Sequence, residues 1–146
     1  MHLASQLIGT WRLMSREDRT AAGERRIDPA LGADPVALLI YDTAGSFAAQ
    51  FMKRDRSSDD IAVAARAGVN NSAAVGGYDA YFGKYTVDET SSSVTQVLDG
   101  ALSPGDVGKV VTREMHVDGD TLTIELATTS GDGEPVTRTL IWRRSA

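Results

Sequence analysis

An all-β fold, a single antiparallel up-and-down barrel of about eight strands, is the architecture this sequence predicts. Three observations carry the prediction. Apolar and polar residues alternate with period two over most of the chain, and helical spacing is scarce. Clusters of Gly, Asp, Asn and Ser punctuate the alternating runs at short intervals. The 146 residues, 42% of them hydrophobic, suffice for one domain over positions 1–146 with its own core. A flat sandwich is the structural alternative. Meander order with short hairpins favours the barrel, whose interior at about eight strands is just wide enough for one small ligand.

The elements follow in order. Residues 3–7 read as a short N-terminal helical turn, and 8–16 as the first strand. A polar stretch, 17–35, holds Gly23, Pro29, Gly32 and Pro35 and is loop chemistry. Strands at 36–41 and 46–53 form a hairpin around Asp42-Thr43-Ala44-Gly45. Asp59 or Asp60 caps a short helical insertion over 61–67 that Gly68 closes. Strands are then expected at 80–87, 93–99, 109–117, 121–129 and 135–143.

Asp118-Gly119 is the preferred dipeptide of a two-residue hairpin loop. It sets Met115 opposite Leu122 and Arg113 opposite Ile124. One face then carries Val111, Arg113, Met115, Leu122, Ile124 and Leu126, while Thr112, Glu114, His116, Thr123 and Glu125 face water. Arg113 is the anomaly, because a guanidinium among apolar side chains needs a partner. The structural reading stacks it on an aromatic ring such as Trp11 and bonds it to backbone carbonyls. The functional reading makes it an anchor for a ligand carboxylate, enolate or carbonyl oxygen. Alternation also turns Tyr81, Tyr85 and Gln96 inward, with Phe82 an apolar exception on the Lys84 face. In the 36–53 hairpin, Leu38, Ile40, Phe47 and Phe51 can share one face and Tyr41, Gln50 and Met52 the other, and alternation leaves open which is inside. The last strand is equally open: Glu125 opposite Arg138 suits one loop length, Leu140 and Trp142 facing inward another. The candidate ligand-binding set is Arg113, Tyr81, Tyr85, Gln96, Tyr41, Gln50 and Met115.

Composition removes many chemistries. With no Cys there is no disulfide, thiolate nucleophile or Cys-based metal site. His2 is terminal and His116 faces water, so no metal site is expected, and no cofactor. No nucleophile elbow or phosphate-binding loop occurs. A net charge of −5 and interrupted basic stretches at Arg25-Arg26 and 54–56 argue against nucleic acid. Asp88 and Glu89 read as solvated turn residues. The absence of a long apolar run and of a signal pattern leads to an expectation of a cytoplasmic protein without a membrane span.

The segment Leu7-Ile8-Gly9-Thr10-Trp11 resembles the opening of lipocalin-type barrels. Further stretches are Leu39-Ile40-Tyr41-Asp42-Thr43-Ala44-Gly45-Ser46-Phe47, 77–88, and Thr139-Leu140-Ile141-Trp142-Arg143-Arg144. Together they are similar to the bacterial and fungal lipocalin-like domain family over nearly the whole chain. The resemblance implies a barrel with a cavity, Trp11 plugging its closed end, and an arginine packed across that ring: Arg143, Arg144 or Arg113. It also implies that 59–77 lies over the mouth as a lid.

The function expected is binding of a small, largely hydrophobic molecule in the barrel. The alternative is a cofactor-free isomerase or cyclase acting on a natural-product intermediate, using Arg113 and a phenol to stabilise an oxyanion. A barrel filled by its own side chains, acting through its surface or as a homodimer, is the third reading.

Overall fold

The computed structural model describes residues 2–60, 74–130 and 133–145. Helix α1 (Leu3–Leu7) leads into β1 (Gly9–Arg19) and a two-residue strand β2 (Arg25–Arg26). Then come β3 (Val36–Tyr41), β4 (Ser46–Met52), β5 (Tyr78–Asp88), β6 (Ser93–Ala101), a 3₁₀ turn (Pro104–Asp106), β7 (Val110–Asp118), β8 (Thr121–Thr129) and β9 (Pro135–Arg144). All pairings are antiparallel. Strands β1 and β3 to β9 follow one another around the sheet, and β1 pairs with β9 to close it as an eight-stranded barrel. Strand β2 pairs with the far end of β1, outside the ring. The expected helix at 61–67 lies outside the described residues, as does most of the expected lid. Among the described residues, no helix is long and apolar enough to cross a membrane.

Register settles the faces that alternation left open. Tyr41 pairs with Phe47, Leu39 with Ala49 and Ala37 with Phe51. Cross-strand partners share a face, so Tyr41 joins Phe47 and Phe51 inside, while Leu38, Ile40 and Gln50 point out. The hairpin closes with 41 opposite 47, which corrects the grouping of Leu38 and Ile40 with the two phenylalanines. In the β7–β8 hairpin Asp118 pairs with Thr121 and Met115 with Ile124. The loop is therefore Gly119-Asp120, with positive φ at Gly119 alone, as a type II′ turn requires. That pairing is shifted by two residues from the expected register, Met115 meeting Ile124 rather than Leu122, and a shift of two leaves the inner face unchanged. In β9, Val136, Leu140 and Trp142 are buried, and Arg138 shares their side opposite Leu126. Of the two alternatives for this strand, the one with Leu140 and Trp142 inward is observed, and Glu125 pairs with Thr139 rather than Arg138. Phe82, exposed on the outer face, occupies the space that a Cβ on its cross-strand partner Gly100 would need, 2.4 Å from the ring.

One end of the barrel is closed. There α1 meets β7 and the turn after β5, and it is fastened from several sides. The Glu89 carboxylate accepts from the Leu3 and Ala4 amides at 2.7 and 3.1 Å, an acid at a helix N-terminus rather than a merely solvated turn residue. The Trp11 indole donates to the Leu7 carbonyl at 2.9 Å. Arg144 lies 4.3 Å over the Trp11 ring and donates to the Ile8 and Gln6 carbonyls, both at 2.7 Å. Of the three candidate arginines, Arg144 is the one on the tryptophan. Above this plug, Tyr41, Phe47, Val94, Met115, Leu122 and Trp142 fill the lower half of the barrel.

The upper half is less regular. A bulge between Leu13 and Ser15 shifts the alternation of β1 by one residue. Trp11 and Leu13 face inward below it; Arg16 and Asp18 face inward above it. The 20–35 segment folds back beside β1 and buries Leu31 and Pro35. Between β7 and β8, ladder pairing runs only from Glu114–Glu125 down to the turn. Toward the open end, 110–113 and 126–129 belong to strands paired on their other sides, with β6 and β9, and do not pair with each other. The wall has a slit.

Candidate functional site

The unfilled half of the barrel is a cavity of about 570 Å³, within the range of small-molecule sites. Its apolar lining comes from Leu31, Phe51, Leu98, Val111, Leu126 and Leu140, and its polar side chains come mainly from β1, β5, β6, β7 and β9.

Arg113 sits on β7 between Val111 above and Met115 below, on the inner face as expected. Its side chain makes one hydrogen bond, to the Thr112 carbonyl at 3.2 Å, and no carboxylate pairs with it among the described residues. Burial lowers its proton affinity. Two other arginines of the cavity behave differently. Arg138 donates to both carboxylate oxygens of buried Asp18, at 2.8 and 3.0 Å, a bidentate pair. Arg16 meets Asp28 at 3.2 Å, and Asp28 is held in turn by the Ala30 amide at 2.9 Å. The Arg16 proton affinity is lowered by burial and by Arg138, against the opposing pull of Asp28 and Asp18. At the mouth, Lys109 pairs with Asp106 at 2.6 Å.

Asp79 opens β5 with its side chain on the same face as Tyr81. It is 9% exposed and has no ion-pair partner among the described residues. Burial pushes its carboxyl up to about 6; the Ala80 amide opposes this, Asp106 adds to it, and Arg16 opposes it. Tyr81 packs its ring between Phe47 and Phe51. Burial first, then the charge of Asp79, pushes its phenol up to about 12, so it stays a neutral donor at physiological pH. Gln96 forms part of the floor, its Nε2 donating to the Tyr41 hydroxyl at 2.7 Å, and that hydroxyl turns to the Met115 sulfur at 3.6 Å.

Arg113, Tyr81 and Gln96 thus meet in the cavity lining. Tyr41 and Met115 lie one layer lower, buried in the packed half. Tyr85 also points inward, but its hydroxyl bonds the Asp42 carbonyl at 2.7 Å, at the closed end. Gln50 lies on the outer face, where its Oε1 accepts from the Tyr78 hydroxyl; the pairing of Leu38 with Gln50 puts both outside. Arg16, Asp18, Asp79 and Arg138 were missed as candidates. For Arg138, alternation back from Trp142 carried the signal, and for Asp79, alternation back from Tyr81. For Arg16 and Asp18 it pointed the wrong way because of the bulge.

The lipocalin-like domain family matches residues 8–145 of the sequence. The chain belongs to that family. Its cavity, its closing Trp11–Arg144 stack and its meander order are the features of a lipocalin-like domain on which a functional reading can be built. A search of curated proteins found no match.

Proposed function

We propose that this lipocalin-like protein binds a small molecule with an apolar body and one anionic or strongly polarised oxygen. The body lies against Phe51, Leu98, Val111, Leu126 and Leu140, and the oxygen meets Arg113, flanked by Gln96 and Tyr81 as further hydrogen-bonding groups. One observation carries the reading: of the three arginines lining the cavity, Arg16 and Arg138 are matched to carboxylates and Arg113 is not. Holding a half-buried guanidinium without a counter-charge costs stability, and a ligand oxygen removes that cost through a charge-assisted bond.

The test is Arg113→Met, which preserves the apolar stem and removes the charge. Native mass spectrometry of the protein as purified identifies any small molecule it carries, and binding of that molecule, or of a fatty-acid series, is compared between wild type and variant. Affinity should fall about 10-fold or more, as loss of a charged hydrogen bond worth about 1.5–3 kcal/mol implies. Unchanged affinity with lowered stability would make Arg113 a structural residue. A second reading, a cofactor-free isomerase or cyclase, is favoured by Asp79: a carboxyl at about 6 beside a neutral phenol and a guanidinium is suited to proton transfer. Turnover of candidate substrates that Asp79→Asn abolishes and Arg113→Met slows would support it.

A further inference from the structure

The charges facing the cavity can be taken element by element. Strand β1 contributes Arg16 and Asp18, the 20–35 segment Asp28, β5 Asp79, the 3₁₀ turn Asp106, the residue before β7 Lys109, β7 Arg113, and β9 Arg138. The cavity-lining residues of β4, β6 and β8 are uncharged: Phe51, Gln96, Leu98, Leu126, Thr128 and Thr129. Three ion pairs, Arg16–Asp28, Arg138–Asp18 and Lys109–Asp106, account for all but two of these groups. Arg113 and Asp79 are left. They face one cavity with no ion-pair partner among the described residues, and with no ligand bound their two opposite charges balance.

An anion seated on Arg113 upsets that balance. The cavity then holds two negative charges, the bound anion and Asp79, against the one positive charge of Arg113, in a space with many apolar walls where like charges raise each other's proton affinity. Binding is relieved when Asp79 is neutral. We propose that the ligand is a monoanion with an apolar body, bound together with one proton taken up by Asp79, so that acidification loads the cavity and alkalinisation empties it. The inference rests on Arg113 as the anchor and adds the ligand's charge and its control. Burial of Asp79 already brings its carboxyl to about 6, which sets the control near neutral pH.

Two fluorescent probes of one ring system separate the outcomes: 8-anilinonaphthalene-1-sulfonate, an anion throughout, and N-phenyl-1-naphthylamine, which lacks the sulfonate. Their affinities are measured from pH 5 to pH 8 on wild type, Asp79→Asn and Leu126→Trp, the last filling the cavity. The sulfonate probe should weaken with rising pH, approaching about 100-fold across the range at full coupling, while the neutral probe stays level. In Asp79→Asn the sulfonate probe should bind at all pH values as tightly as wild type does at pH 5. Retained binding of the neutral probe shows that this variant is folded; were it not, the contrast between the two probes on wild type would still decide. A level profile for the sulfonate probe, equal slopes for both probes, or a slope that persists in Asp79→Asn would overturn the proton coupling. Failure of both probes to bind, or binding that Leu126→Trp leaves unchanged, would instead overturn the cavity reading, and the coupling with it.

Discussion

Replacing Asp79 by Asn in the ligand-free protein should raise its stability, and only where the carboxyl is ionised. The folded-state value of about 6 lies above the ordinary 3.8, so the folded protein holds this proton more tightly than the unfolded chain does. The stability that comes with it is complete below about pH 4 and is lost as pH rises through about 6. A rise from 3.8 to about 6, at about 1.4 kcal/mol per pH unit, sets a ceiling of roughly 3 kcal/mol. Solvent reaching the cavity mouth lowers the realised figure. Asn has the same shape and no charge, so the variant escapes the loss. Urea unfolding at pH 3, below both values, should give nearly coincident midpoints for the two proteins. At pH 8 the variant's midpoint should lie higher by up to about 1.5 M, taking a slope near 2 kcal/mol per M. A gap that does not change with pH would refute the reasoning. A variant less stable at every pH would show that the carboxylate is a structural acceptor.

Three other expectations follow from the same geometry. Asp18→Asn leaves Arg138 buried beside a neutral amide and should cost about 3 kcal/mol or more by chemical denaturation, with Asp18→Leu/Arg138→Met recovering much of it. Arg144→Ala removes the stack on Trp11 and two bonds to the α1 region; a loss of about 2 kcal/mol and a shift in tryptophan emission should accompany it. Amide exchange should be slow for the paired lower half of β7 and faster for the amides of 110–113 that face the slit; uniform protection along β7 would contradict the register.

The barrel was legible because period-two alternation and turn residues are local signals, and a meander needs little else. Strands β3 and β8 have the bounds that alternation predicts, and helix α1 sits at 3–7. The site was legible in part. Arg113, Tyr81 and Gln96 lie on uninterrupted stretches, where parity alone assigns a face. Parity says nothing about height along the barrel, so Tyr41, Tyr85 and Met115 could not be told from cavity residues although they belong to the packed half. Arg16 and Asp18 were hidden by the unpaired Met14: counting by twos from Trp11 sends them outside. Gln50 was misplaced for the opposite reason, since both faces of its hairpin carry apolar residues and only the closing register decides between them.

The slit between β7 and β8 gives the barrel a mechanical property that a fully laddered one lacks. Widening a closed barrel means breaking backbone bonds in series, each worth about 1 kcal/mol net, and the wall resists as a hoop. Here the upper halves of two strands have no such bonds to each other, while the lower halves are riveted by the hairpin ladder. The structure is a cup with a split rim. Its rim can spread by sliding side chains past one another, and the stiffness that fixes Arg113 at the bottom of the split does not have to yield for a bulky molecule to fit above it.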